Sequence, residues 1–266
     1  MSRPLITLTT DFGAGSPYMA QMKGVILSVA RDVDLVDISH AIKPQNVREG
    51  AVVLADSTPR FPPGTIHIAV IDPGVGTGRR VVYAELGQQR YIAPDNGLLS
   101  LLAIQEGPKA LGRIVSLENR QYWLPRPSHT FHGRDIMSPV AAHLALGVDP
   151  GQFGSARDEL VMLEWSQVHR SAHRIVGEVM YIDSFGNLIT NIDREDLAAL
   201  GNPASLTIDL GDQKIHGLVR TYGAAMGGEV VGLFDAQGRL EVAVVEGNAA
   251  VTLQKNAGDM VVVSST

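Results

Sequence analysis

The stretch VIDPGVGTGRR, residues 70–80, decides how the first half of the chain is read. An apolar run enters Asp72 and Pro73, then come Gly74, Gly76 and Gly78, and two arginines close the segment. A phosphate loop needs four residues between its glycines and then Lys with Ser or Thr. Here three residues separate Gly74 from Gly78, and Arg79 comes next. A dinucleotide fingerprint needs G-x-G-x-x-G opening a helix, whereas this segment leads into RRVVYAEL, a strand pattern. Both nucleotide-loop readings fail. What remains is a strand, a nearly bare loop with a carboxylate at its root, and another strand.

Working outward, TIHIAVID, LITLTTDF and DLVDISH read as strands, and YMAQMKGVILSVA and VREGAVVLADST as helices. NGLLSLLAIQ and DIMSPVAAHLALG also read as helical, the second ended by Gly147. Such alternation predicts a largely parallel sheet covered by helices. Beyond about residue 170 the pattern changes. HRIVGEVMYID, NLITNI, SLTIDL, KIHGLVRTY, EVVGLF, RLEVAVV, AAVTLQ and DMVVVSS read as short strands split by Gly, Asn and Asp, as in a small antiparallel barrel or sandwich. The expected organisation is an α/β domain over residues 1–165, a linker over 166–173 and a β-barrel domain over 174–266.

Composition narrows the function. The 266 residues are 45% hydrophobic and 19% charged, ordinary for a globular protein. A net charge of −6 with no basic run argues against nucleic acid as a partner. The absence of cysteine excludes disulfides, thiolate metal sites and a cysteine nucleophile, and is compatible with a reducing cytoplasm. MSRPLITLTTDF stops its apolar run at an aspartate, unlike a signal peptide or a membrane span, so a soluble cytoplasmic protein is expected.

Ligands of open α/β sheets bind beyond the carboxyl ends of strands. Asp11, Asp72 and the pair Asp95-Asn96 fall at such ends, although Asp before Pro or Gly also makes turns and caps. SHTFHGRD adds His132, Arg134 and Asp135, of which Asp135 or the later Ser138 has a plain alternative as a helix cap. His129 and His132 make H-x-x-H without a third ligand at suitable spacing, so no metal is expected. Arg80 reads as a surface side chain, and His169 and His173 as solvated. In the second half, YIDSFGNLITNI bunches Asp183, Phe185, Gly186 and Asn187; a tight turn explains the last two but not a phenylalanine beside an acid. Asp235 to Gly238 reads as a hairpin turn, followed by Glu241 and Glu246 on a strand and at its end.

Together these segments resemble the S-adenosylmethionine hydrolase family, the SAM hydroxide adenosyltransferases, relatives of the fluorinating and chlorinating enzymes. The matching pieces are TTDFG, MKGVI, DISHAI, FPPGTIHIAVIDPGVGT, APDNGLL, TFHGRDI with PVAAHLA, IDSFGNLITNI and GRLEVAV with EGNAA, in order along nearly the whole chain. The resemblance implies a Rossmann-like N-terminal domain, a C-terminal β-barrel, and a homotrimer with substrate at subunit boundaries. It implies that S-adenosylmethionine reacts with water to give adenosine and methionine, without a cofactor. It places the catalytic roles on Asp72, Arg79 and His132, and the ribose contact on Asp11. It places the methionine amine, a ring wall and adenine at Asp183, Phe185 and Asn187, with Glu241 and Val244 on a strand lining the same pocket and Tyr18 and Asn96 among the binding residues. The halogenating relatives carry tyrosine where this chain has Asp72. Two departures fall at the methionine end: Ser16 before Pro17-Tyr18, where the family often has Asp, and Ala236 in place of a usual serine, next to Gln237.

Water must then attack the ribose C5′ opposite the leaving sulfide, with Asp72 accepting or orienting its proton and Arg79 and His132 donating to the developing hydroxide. The alternatives are a halide-dependent adenosyl transferase, disfavoured by the charge of Asp72, a non-catalytic sensor of S-adenosylmethionine or adenosine, and a metal-dependent hydrolase built on Asp11, Asp72 and His132.

Overall fold

The computed structural model describes residues 3–265, and the chain divides into two compact units after Leu163. In the first unit the strands are β1 (Leu5–Thr10), β2 (Asp34–Ser39), β3 (Ile66–Val70), β4 (Val81–Leu86), β5 (Gln89–Pro94), β6 (Leu111–Ser116) and β7 (Ala156–Arg157). They form one sheet in the order β2-β1-β3-β5-β4-β6-β7. The helices are α1 (Tyr18–Val29), α2 (Val47–Ser57), α3 (Ser100–Glu106) and α4 (Ser138–Ala145); α1 packs on α4, and α2 on α3. β3 is buried at all five positions, as expected of a strand covered on both faces.

The sheet is mixed, which corrects the expectation of a largely parallel one. β2, β1, β3 and β5 run parallel, while β4, β6 and β7 pair antiparallel. The cause is local: Leu86 pairs with Gln89 across Gly87-Gln88, and a connection of that length returns the chain only as a hairpin. The parallel part positions the site. Thr10 of β1 lies opposite Val70 of β3, so the residues that follow them, Asp11 and Ile71-Asp72, leave the sheet at one edge.

The second unit contains β8 (His169–Arg170), β9 (Arg174–Ile182), β10 (Leu188–Asp193), β11 (Leu206–Asp209), β12 (Lys214–His216), β13 (Val230–Phe234), β14 (Arg239–Val244) and β15 (Met260–Ser265). The order β12-β11-β15-β9-β10-β14-β13 is antiparallel throughout, and a single bridge from Leu218 to Gly232 brings its two ends together into a nearly closed barrel. β9 turns the corner. Its first half pairs with β15 and its second half with β10. Residues 166–173 contribute β8, which pairs with β9, and Asn191 Nδ2 donates to the Ser166 carbonyl at 2.9 Å.

AAVTLQ, expected as a strand, is the core of a short helix, α6 (Ala249–Leu253). Asn248 caps it by accepting from Val251 N at 2.9 Å, and Gln254 ends it in the left-handed conformation. Another short helix, α5 (Arg194–Ala198), opens on a capping box of Asp193 and Asp196.

Candidate functional site

At the carboxyl edge of β1 and β3 lies a pocket of about 190 Å³ lined by Asp11, Phe12, Gln45, Asp72, Phe131 and His132, among others. The loop that opened the sequence reading folds back so that Arg79 grips Asp72 with two donors: Nε reaches Oδ1 at 2.8 Å and Nη2 contacts Oδ2. The same Nη2 lies 2.9 Å from His132 Nδ1. A guanidinium has donors only, so Nδ1 accepts and the ring proton sits on Nε2. Burial, and then the positive charge of Arg79, hold the His132 imidazolium below its ordinary range, against the opposing pull of Asp72 and Asp135; the ring is neutral at pH 7. Asp72 and Arg79 are themselves shielded, with side chains 5% and 11% exposed. This geometry leaves the two N–H groups of Arg79 Nη1 and the His132 Nε2–H without protein partners among the described residues.

His132 is positioned by an unusual turn. Gly133–Met137 forms a π-helical turn leading directly into α4, a local distortion that recurs at functional sites. Gly133 allows it: a Cβ there would sit 3.2 Å from Val70 Cγ2 and 3.3 Å from Met22 Sδ. Asp135 does not cap the helix. Fully buried, it accepts from Ser128 N at 2.7 Å and Arg134 Nε at 2.6 Å, tying the turn to the preceding loop. Asp11 accepts from Gln45 N at 2.7 Å through Oδ2. Tyr18, half-exposed, joins Phe12 and Phe131 in an edge-to-face cluster with centroids 5.0–5.7 Å apart.

Asn96 stands apart from this pocket's lining. Its amide donates to the Ile71 carbonyl at 2.9 Å and its oxygen accepts from Leu98 N at 3.2 Å, so it braces the residue before Asp72. Arg80 is not a free surface group, since Nε and Nη2 both donate to the buried Asp95, whose other oxygen takes Val161 N.

The second unit holds a separate, mostly apolar pocket of about 330 Å³ lined by Phe185, Asn187, Tyr222, Val244, Glu246 and Gly247, with Val245. Asp183 shapes its own turn, accepting from Phe185 N at 2.9 Å, Asn187 N at 2.8 Å and Asn187 Nδ2 at 3.2 Å. Phe185 is left 75% exposed, so it is not a core residue of this unit. Glu241 is buried and accepts from the Tyr222 hydroxyl at 2.6 Å. Burial, reinforced by the charges of Asp183 and Asp235, raises its carboxyl above the usual range, and the Tyr222 bond only partly offsets this. Tyr222 escaped the sequence reading because KIHGLVRTY looked like one strand; only Lys214–His216 is, and Tyr222 lies on a later 3₁₀ turn.

Two family models match in succession, the SAM hydroxide adenosyltransferase N-terminal domain over residues 6–154 and its C-terminal domain over 177–262. The chain belongs to the SAM hydroxide adenosyltransferase family. An (R)-S-adenosyl-L-methionine hydrolase of Salinispora tropica is 37% identical over 266 residues, covering 96% of each chain. One from Thermus thermophilus is 36% identical, covering 96% of this chain and 97% of that one. A fluorinase of Nocardia brasiliensis is 35% identical over 75% of this chain and 74% of its own. Among solved structures, an uncharacterized conserved protein from Thermotoga maritima superposes with a TM-score of 0.89 at 32% identity, covering 97% of this chain and 99% of that one. In this chain Asp11, Asp72 and His132 line one pocket; Arg79 is bonded to Asp72 and His132 but lines, with His132, an adjoining cavity of about 410 Å³. Phe185, Asn187 and Val244 line the pocket of the second unit, with Asp183 and Glu241 bonded to its walls. Among the described residues no cluster of three or more His, Asp or Glu is arranged to hold a metal ion.

Proposed function

We propose that this protein hydrolyses S-adenosyl-L-methionine to adenosine and L-methionine by in-line attack of water on the ribose C5′. The linked group Asp72–Arg79–His132 carries this reading, since it supplies what the step lacks. The leaving group is a neutral sulfide and needs no acid, whereas water is a poor nucleophile at pH 7. Asp72 takes or orients the water's proton. Arg79 Nη1 and His132 Nε2–H remain to donate to the hydroxide as it forms, and their orientation is fixed before substrate arrives by the bonds to Asp72 and between each other. The O–H bond breaks toward Asp72, the C5′–O bond forms, and the C5′–S pair leaves with methionine.

Asp11 accepts from the ribose hydroxyls through Oδ1, its other oxygen being engaged by Gln45 N. In the second unit, Phe185 walls the ring, Asn187 reads adenine, and Asp183 offers negative charge to the methionine ammonium. Glu241 and Val244 complete that lining, with Tyr18 at the first pocket's aromatic rim. We read the parallel portion of the first sheet as Rossmann-like and the protein as a cytoplasmic homotrimer that needs no cofactor and binds neither nucleic acid nor membrane.

The test is incubation of the pure protein with S-adenosyl-L-methionine, with and without chloride or fluoride, followed by chromatography. Adenosine and methionine in equal amounts are expected under every condition. A 5′-halo-5′-deoxyadenosine as main product would instead establish halide transfer, and binding without turnover would establish a sensor.

A further inference from the structure

Beside the first pocket, a polar chain runs behind Asp11 that the proposed reaction does not use. Thr10, fully buried at the end of β1, has its hydroxyl 2.9 Å from His40 Nδ1. His40 Nε2 lies 3.1 Å from Asp37 Oδ1, and the other oxygen of Asp37 accepts from Lys23 Nζ of α1 at 2.6 Å. The two groups are not aligned for a hydrogen bond, but the carboxylate charge beside Nε2 favours the His40 tautomer that carries its proton there. Nδ1 then accepts from the Thr10 hydroxyl, whose lone pairs are left for a donor. That donor is Phe12 N, at 3.3 Å.

The contacts converge on the two loops that shape Asp11. The His40 carbonyl accepts from Gly13 N at 2.9 Å, and five residues on Gln45 N, a non-glycine residue with φ of 65°, donates to Asp11 Oδ2 at 2.7 Å. The backbone before and after Asp11 is therefore tied to His40, by its ring through Thr10 and Phe12, and by its carbonyl through Gly13. A break in the β1–β2 register between Leu8 and Thr9, where Leu8 pairs with Asp37 but Thr9 with Ser39, gives β2 the extra residue that brings Asp37 and His40 to this edge.

We propose that His40 is a positioning residue for Asp11, with the charge of Asp37 biasing its tautomer, and that through Asp11 it sets a preference for ribose over 2′-deoxyribose. This rests on Asp11 being the ribose contact. Asp11 has one oxygen held by Gln45, so discrimination depends on where the other points, and a shift of a few tenths of an ångström weakens a charge-assisted bond to a hydroxyl.

The test uses calorimetry of adenosine and 2′-deoxyadenosine with the full chain, alongside thermal unfolding, for wild type, His40→Ala, His40→Asn and Asp11→Ala. Wild type favours adenosine, and Asp11→Ala abolishes the preference. His40→Ala weakens adenosine about 5- to 10-fold, the loss of an ordinary hydrogen bond, while 2′-deoxyadenosine changes less. His40→Asn, whose Oδ1 takes the place of Nδ1 against Thr10, recovers most of the preference. If His40→Ala does not fold, Asp37→Asn carries the comparison and narrows the preference in the same direction. An unchanged or equal loss for both nucleosides in the His40 and Asp37 variants, with Asp11→Ala behaving as stated, overturns the role of His40 alone. An Asp11→Ala protein that keeps its preference overturns the ribose assignment and this inference with it.

Discussion

Asp72 and Asp11 emerge from neighbouring parallel strands into one pocket, yet their surroundings differ. Arg79 holds both oxygens of Asp72, whereas Asp11 spends one oxygen on a backbone amide. Substitutions should therefore fail differently. Asp72→Asn keeps the shape but removes the charge that draws the water's proton, and should lower turnover by about 10²-fold or more with little change in substrate affinity. Asp11→Asn should mainly weaken binding, because a bond to the ribose exists in ground and transition states alike. Single-turnover kinetics and calorimetry separate the two; normal turnover by Asp72→Asn would reassign the catalytic carboxylate.

Another residue governs stability. His67 on β3 is fully buried, bonded through Nδ1 to Thr7 of β1 at 2.7 Å and stacked on Tyr91 of β5. Burial pushes its imidazolium pKa down to about 4, against a weaker opposing contact from Gln89. The folded state thus refuses a proton that the unfolded chain accepts below about 6.5. Its contribution is intact above pH 6.5, falls as pH drops toward 4, and then levels off, a loss of about 3 kcal/mol. Thermal unfolding at pH 7 and pH 5 should show this slope, and His67→Gln should flatten it.

Among the elements, the loop after β3 shows what its glycines are for. Gly76 has φ of 78°, and a Cβ there would strike the His129 carbonyl, while Gly78 has nothing within 4 Å. Gly76→Ala should cost about 1–3 kcal/mol and disturb Asp72 and Arg79 together. Gly78→Ala should leave the activity within about twofold of wild type. Measured kcat and melting temperature for the two variants would check this contrast. The need for glycine was legible in the sequence, but which glycine was not, because it depends on His129 from a distant loop. The same holds elsewhere. The buried strands β1 and β3 were readable from continuous apolar runs, and Asp11 and Asp72 from their ends. AAVTLQ has the residues of a strand and becomes helical through the Asn248 cap and a left-handed Gln254. Arg80 looked like a surface group because Asp95, its partner, is 15 residues away along the chain.

For the whole molecule, family membership and the split of the binding residues between two compact units lead us to expect a homotrimer. Light scattering at working concentrations should give three chains per particle; an active monomer would refute the assembly. The barrel itself carries an unequal load around its girth. β9 is bonded along its length to β15, β8 and β10, whereas the two ends of the sheet meet at the one bridge between Leu218 and Gly232. That bridge is a seam. Amide hydrogens around it should exchange with deuterated solvent first, and those in the middle of β9 last, so the barrel unzips from its seam toward β9. Tyr222, which carries the hydroxyl bound to Glu241, follows the seam by four residues, so each opening of the seam should also loosen one wall of the apolar pocket.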